Sequence, residues 1–230
     1  MEQIKYYMAP MEGVTGYVYR NAYAKYYGGI VRYFTPFVAN KKLGHREKND
    51  VCPEHNAGMA VVPQILTNRA EDFLAIAEIL REYGYDTVNL NLGCPSGTVA
   101  ARGRGAGFLA MPDELDHFLE EIFEKCPLRI SIKTRIGKEN PAEWERLLAI
   151  YEKYPLEELI VHPRVQTDFY KNRVNLEAFA RAEKNSRHSL CYNGNIVDAA
   201  SAAHIREGFP SVDKFMICLL YTSDAADDTP

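Results

Sequence analysis

Cys94 sits in the stretch Asn89-Leu-Asn-Leu-Gly-Cys-Pro-Ser96, where apolar and polar side chains alternate as in a strand until Gly93 and Pro95 interrupt them. A thiol between two residues that break regular structure is aimed by a turn. An unperturbed thiol titrates at ~8.5, so at neutral pH it is mostly protonated. Cys94 is therefore a candidate site residue whose task the spacing alone leaves open, and its bland alternative is an inert thiol at a strand end.

Other residues able to do chemistry stand where apolar runs end. Pro10-Met11-Glu12-Gly13 follows the first run and Gln64 ends the third. Asn91, Lys133, His162 with Arg164, and Asn193-Gly194-Asn195 close the fourth to seventh. Singly, an Asn or Gln in such a place is more often a turn or cap residue. Together they suit a flat heterocycle with carbonyl and ring-nitrogen edges, such as a flavin, since amides donate and accept while an ammonium steadies negative charge. Lys133 follows Ile130-Ser131-Ile132, which favours a buried lysine over a snorkelling one; a buried lysine can also form a Schiff base. His162 precedes Pro163, expected to end its strand and keep the histidine extended, and Arg164 makes an anion site credible. The glycine-rich, basic run from Arg102 to Gly107 is expected either to hold phosphate or to be a flexible loop. Trp144 and most tyrosines read as packing or surface residues, and Cys52 with His55 supplies too few ligands for a metal.

These residues need a scaffold, and 230 residues with 47% hydrophobic and 25% charged content suit one globular domain. The first ten residues lack a signal-peptide pattern and no run of 18 apolar residues occurs, so a cytoplasmic protein without a membrane segment is expected. The five cysteines, at 52, 94, 126, 191 and 218, are scattered with no C-x-x-C pair, which reads as reduced thiols rather than a disulfide framework or zinc ribbon. A net charge of −4 sets up no global basic field, although a local basic patch can still steer phosphates.

Short β-branched or apolar runs are expected as strands over 4–9, 31–35, 59–64, 87–91, 129–133, 159–162, 190–193 and 214–217. Helical periodicity falls between them, clearest over 71–83 and 113–125, with further helices over 17–27, 141–153, 176–182 and 199–207. Residues 39–48 read as a short solvated helix or loop. Eight βα units predict a (β/α)8 TIM barrel, whose chemistry sits at the carboxyl ends of its strands. An open doubly wound sheet is the alternative, but no G-x-G-x-x-G follows the first strand.

From Met8 to Ile217 the chain resembles the tRNA-dihydrouridine synthases, FMN-containing (β/α)8 barrels. The resemblance rests on Met8-Ala-Pro-Met-Glu-Gly-Val-Thr15, on Asn89 to Ser96 followed by Arg102 to Gly107, and on Lys133, His162 with Arg164, and Asn193 to Asn195 in order. It implies that Pro10, Met11, Glu12, Gln64, Lys133, His162, Asn193, Gly194 and Asn195 contact FMN. It implies that NADPH, or NADH, reduces the flavin, that hydride passes to C6 of a tRNA uridine, and that Cys94 gives C5 its proton. Asn91, Arg164 and Arg102 are then expected to bind the tRNA substrate, with the protein a monomer that needs no metal. Two departures stand out. Gly16 occupies a position where the family usually has aspartate, which is expected to loosen that loop. Residues 1–217 read as the catalytic barrel and 218–230 as an atypical, non-native tail, so the barrel is expected to lack its last helix and the family's C-terminal helical domain to be absent.

Rival readings are a flavin barrel acting on a free pyrimidine or enoate and a catalytically silent RNA-binding barrel. The second would use Lys41, Lys42, Arg46 and Lys48 as a phosphate-facing patch, although such a run is more often a solvated face. A Schiff-base aldolase at Lys133 leaves the cysteine motif without a purpose.

Overall fold

The β-branched and aromatic runs pair side by side. The computed structural model, which describes residues 4–218, closes them into one parallel barrel in chain order. The strands are β1 (Lys5–Met8), β2 (Ile30–Val38), β3 (Val61–Ile65), β4 (Thr87–Leu92), β5 (Arg129–Gly137), β6 (Leu159–Val165), β7 (Leu190–Asn193) and β8 (Lys214–Ile217). Closure runs through β1 and β8, with Tyr6 opposite Phe215 and Met8 opposite Ile217. The open-sheet alternative is thereby set aside. Helices α1 (Tyr17–Tyr26), α2 (His45–Val51), α3 (Ala70–Glu82), α4 (Gly97–Ala100), α5 (Pro112–Lys125), α6 (Glu143–Tyr151), α7 (Leu176–Asn185) and α8 (Ala199–Gly208) lie between the strands. Among the described residues no helix is long and apolar enough to cross a membrane. The expected tail and missing last helix concern residues beyond Cys218, outside the described residues.

Alternation along each strand sends successive side chains to opposite faces. The outward set, including Leu90, Leu92, Ile132, Leu159 and Val161, joins Phe73, Ile76 and Leu80 of α3 and Leu115, Leu119 and Ile122 of α5 in the main core. A smaller apolar cluster of Tyr7, Ala9, Phe34, Val62, Ile160, Cys191 and Met216 fills part of the interior. The rest of the interior is polar. Gln64 Nε2 donates to Asn89 Oδ1 at 2.8 Å, and Asn89 Nδ2 to Ser131 Oγ at 2.9 Å, so burial leaves these amides paired.

Two expectations need correction. Pro163 does not end β6, which runs on to Val165. Regular pairing with β7 stops at Val161 opposite Tyr192, and pairing with β5 shifts after Arg135 opposite His162, so the sheet needs no N–H at Pro163. The helix placed near 39–48 instead spans His45–Val51 and its end is buried, because Val51 joins the core.

The floor of the barrel carries a buried carboxylate. Tyr7 Oη donates to Glu158 Oε1 at 3.1 Å, and Arg32 Nη1 lies 3.5 Å from the other oxygen. Burial raises the Glu158 pKa against the opposing pull of Arg32. Glu158→Ala is expected to cost about 2 kcal/mol by stranding the Tyr7 hydroxyl, with a smaller loss for Glu158→Gln. Urea unfolding of the three proteins measures both, and an unchanged midpoint for Glu158→Ala would reject the assigned role.

Candidate active site

Cys94 is carried on a turn fastened from three sides. Asn91 Oδ1 accepts from the backbone amides of Gly93 (3.0 Å) and Cys94 (2.9 Å), the way an Asx side chain stabilises a turn. Arg135 Nε donates to the Gly93 carbonyl at 3.0 Å, and Ala106 N–H donates to the Cys94 carbonyl at 3.1 Å. Gln166 Nε2 adds a bond to the Pro95 carbonyl at 3.1 Å. The thiol is half-buried. Burial raises its pKa, while the Ser96 amide, Lys133 and Arg135 pull the other way.

The second half of the glycine-rich run after Cys94 is packed into the protein rather than left as an open loop. Residues Gly105–Ala110 form a buried turn of 3-10 helix. A Cβ on Gly107 would collide with the Ala100 carbonyl, and one on Gly105, whose φ is +56°, would lie 2.9 Å from Cys94 Cβ. The glycines let two backbones approach closely beneath the thiol. Arg102 is exposed, and its side chain makes no hydrogen bond to the other candidates.

Around the mouth, Lys133, Arg135 and Arg164 bring three cations together. Lys133 stands opposite Asn91 in the β4–β5 register and Arg135 opposite His162 in β5–β6. The Lys133 ammonium makes no hydrogen bond or ion pair with any described residue. Burial and then the Arg135 charge push its pKa down to about 8. Arg164 is fully buried, donating through Nε to the Asn172 carbonyl (2.7 Å) and through Nη2 to Asn195 Oδ1 (3.0 Å). Its Nη1 lies 2.8 Å from His162 Nε2. A guanidinium has only donors, so His162 accepts at Nε2 and carries its proton on Nδ1. Burial and the charges of Arg135, Lys133 and Arg164 all keep that ring neutral. Tyr170 stacks near the imidazole, centroids 6.1 Å apart, and the Arg135 guanidinium lies 5.4 Å from the Tyr170 ring centroid.

The strand-end residues expected from the sequence do meet here, in different states of engagement. Gln64 and Asn91 bond to each other at 2.7 Å, and Asn193 Nδ2 donates to the Met216 carbonyl at 2.9 Å. At Gly194 a Cβ would lie 2.5 Å from Tyr192 Oη, so a larger residue there would have to displace that buried ring. Pro10 and Met11 are half-buried on the β1–α1 loop, whereas Glu12 is exposed and paired with Arg46. Lys41 pairs with Glu71 and Asp72, so two cations of the supposed RNA patch are already neutralised. Gly16 does not leave its loop loose: Asp50 Oδ1 accepts from the Tyr17 amide at 2.6 Å. Trp144 is packing, buried with Nε1 donating to the Ala178 carbonyl.

Arg135, Asn89, Ser131, Gln166 and Tyr170 escaped the sequence reading. Arg135 and Ser131 share Lys133's alternation phase along β5, a signal for the inner face. Tyr170 and Gln166 lie on a loop and had none.

A closed parallel barrel whose carboxyl-end mouth presents a thiol, a lone ammonium and a neutral imidazole defines the class as a (β/α)8 barrel with an anion-seeking site. The profile of the dihydrouridine synthase (Dus) family matches residues 7–217. The chain belongs to that family. It is 24% identical over 215 residues to tRNA-dihydrouridine synthase B of Pasteurella multocida, covering 92% of this chain and 64% of that protein. It is 26% identical over 199 residues to a probable tRNA-dihydrouridine synthase of Rhodobacter capsulatus, covering 85% of this chain and 61% of that one. The chain thus spans less than two thirds of the length of these curated relatives. Among solved structures, a morphinone reductase variant in complex with tetrahydroNAD superposes with a TM-score of 0.62 at 11% identity, covering 92% of this chain and 82% of that one. That likeness bears on the fold alone.

The unpaired ammonium carries a stability cost with a definite pH dependence. Lys133 holds its proton to about 8 when folded and to its ordinary 10.5 when unfolded, so the unfolded chain binds more protons between those values. Stability from this group therefore rises with pH across that window. Lys133→Met is expected to stabilise the protein without cofactor by roughly 1–3 kcal/mol at pH 7. The gain should shrink toward pH 10, as urea unfolding at both pH values will measure; no gain at pH 7 would remove the assigned penalty.

Proposed function

We propose that this chain is the catalytic barrel of an enzyme that reduces the C5=C6 bond of a tRNA uridine to dihydrouridine, with FMN as cofactor and NADPH or NADH as reductant. The observation that carries the reading is the Cys94 thiol fixed on a bonded turn at the same barrel mouth as Lys133 and His162, in a chain whose family is the dihydrouridine synthases.

The donor set fits a flavin. The Lys133 ammonium and the His162 Nδ1–H are directed donors without a described protein acceptor, and among the described residues no carboxylate is bonded to Lys133, His162 or Arg164. Such a set favours an electron-rich, carbonyl-edged ring. Pro10, Met11, Glu12, Gln64, Lys133, His162, Asn193, Gly194 and Asn195 are the residues proposed to hold it. When bound, the flavin supplies hydride chemistry.

Reduction of a conjugated carbonyl leaves negative charge on the base, which an acid must quench at C5. Burial keeps the Cys94 thiol protonated at neutral pH, the state a proton donor requires. Asn91 places that thiol through the Gly93 and Cys94 amides, and its remaining amide proton is free for a uracil carbonyl. Lys133 steadies the charge. Arg164 acts by orienting His162, and Arg102 is exposed for contact with the phosphate backbone. A base buried in a tRNA stack must be drawn out to reach this mouth.

Purified chain should show a flavin absorbance band and form dihydrouridine in tRNA that lacks it, measured by nucleoside mass spectrometry. Cys94→Ala should keep flavin affinity within about twofold while turnover falls about 10²-fold or more, the usual contribution of a general acid. Undiminished turnover by Cys94→Ala, or activity on free uracil but not tRNA, would contradict the proposal.

A further inference from the structure

The β1–α1 loop that presents Pro10 and Met11 is closed on itself by Thr15, which is fully buried and accepts from the Met11 amide through Oγ1 at 2.8 Å. What holds Thr15 lies outside the loop. Its carbonyl accepts from Arg20 Nη1 at 2.8 Å. Arg20 is itself fully buried, and its Nη2 donates to the Asp50 carbonyl (2.6 Å) and Asn56 Oδ1 (2.8 Å). Among the described residues its Nε has no hydrogen-bond partner, and the carboxylate paired with this guanidinium is that of Asp50, 3.8 Å from Nη1.

The same carboxylate does a second task. Helix α1 has Gly16 at its N-cap position and so no capping side chain of its own. Asp50 Oδ1 takes the Tyr17 amide instead, and a Cβ on Gly16 would lie 3.2 Å from that oxygen. The Asp50 carboxylate therefore fills the space a capping side chain at position 16 would enter. Asn56 Nδ2 braces the segment through the Asp50 and Cys52 carbonyls, and His55 stacks on Tyr17 with ring centroids 4.2 Å apart.

We propose that Asp50 is a positioning residue for the β1–α1 loop, acting through Arg20 on the Thr15 carbonyl and directly on the Tyr17 amide, so that Pro10 and Met11 are held at the mouth to receive the cofactor. The cofactor half of this inference rests on the function proposed above. The two contacts bracket the end of the loop, and neither touches the mouth.

A four-protein cycle tests it: the unaltered chain, Asp50→Ala, Gly16→Asp and the double variant. Asp50→Ala should weaken FMN binding, read by flavin fluorescence quenching, about tenfold, the scale of one lost hydrogen bond to a charged group. Gly16→Asp alone should also weaken it, because two carboxylates then compete for one space. The double variant should return to within about threefold of the unaltered chain, since the extended backbone at 16 (φ −63°) suits an aspartate cap. Asp50→Asn, which keeps an acceptor for Tyr17 and loses the charge facing Arg20, should fall between and guards against misfolding of the alanine variant. Hydrogen exchange at the Met11 and Thr15 amides of the cofactor-free proteins should follow the same order. A lowered thermal midpoint with unchanged FMN affinity and exchange would reduce Asp50 to a structural residue and overturn the inference, as would a double variant no better than Asp50→Ala. If the unaltered chain binds no FMN, the functional reading fails while the exchange measurements still decide the role of Asp50 in the loop.

Discussion

The mouth of this barrel depends on one buried guanidinium. Arg135 donates to three carbonyls on three separate segments: Gly93 after β4 at 3.0 Å, Val165 at the end of β6 at 2.8 Å, and Phe169 in the following loop at 2.9 Å. An arginine fully removed from water needs its donors met. Meeting them with backbone rather than a bonded carboxylate leaves its charge only partly offset, by Tyr170 and the more distant Asp168. The positive field that results is what depresses Lys133 after burial has begun to do so, and what helps keep His162 neutral. One interaction therefore fixes the turn that carries Cys94 and also sets the electrostatics that the thiol faces.

The interior is divided, and the division follows from which strands supply polar residues in the inward phase. The apolar cluster of Tyr7, Phe34, Ile160 and Met216 packs one side. The ladder of Gln64, Asn89 and Ser131 satisfies its own hydrogen bonds on β3, β4 and β5. Because the ladder is paired, it costs little to bury and gives the carboxyl ends above it a fixed height. Lys133, one alternation step above Ser131, makes no hydrogen bond or ion pair with a described residue. Stability is lost there, and the unmet donor capacity is what the proposed cofactor would use.

Glycine is used here for proximity more than for flexibility. Gly105 brings the chain after α4 against Cys94, Gly107 packs it on the Ala100 backbone, and Gly194 lets the β7 end pass over Tyr192 Oη. At Gly16 the absent side chain makes room for Asp50, so the loop of β1 is stiffened by a residue more than thirty positions away.

Much of this was legible in order along the chain. Eight apolar runs with helical segments between them, and a polar residue closing most runs, were enough to expect a (β/α)8 barrel and to pick out Gln64, Asn91, Cys94, Lys133, His162 and Asn193, because period and sequence order are local properties. The tertiary structure decided what those residues do. Asn91 turned out to be largely occupied with the Cys94 turn, Arg164 with His162, and Glu12 with Arg46. Arg135, Asp50 and Tyr170 gained their importance from partners on other elements. Hydrogen-bond capacity is written in a residue's type, but which groups consume it depends on distances between segments far apart in the chain, and those exist only once the barrel has closed.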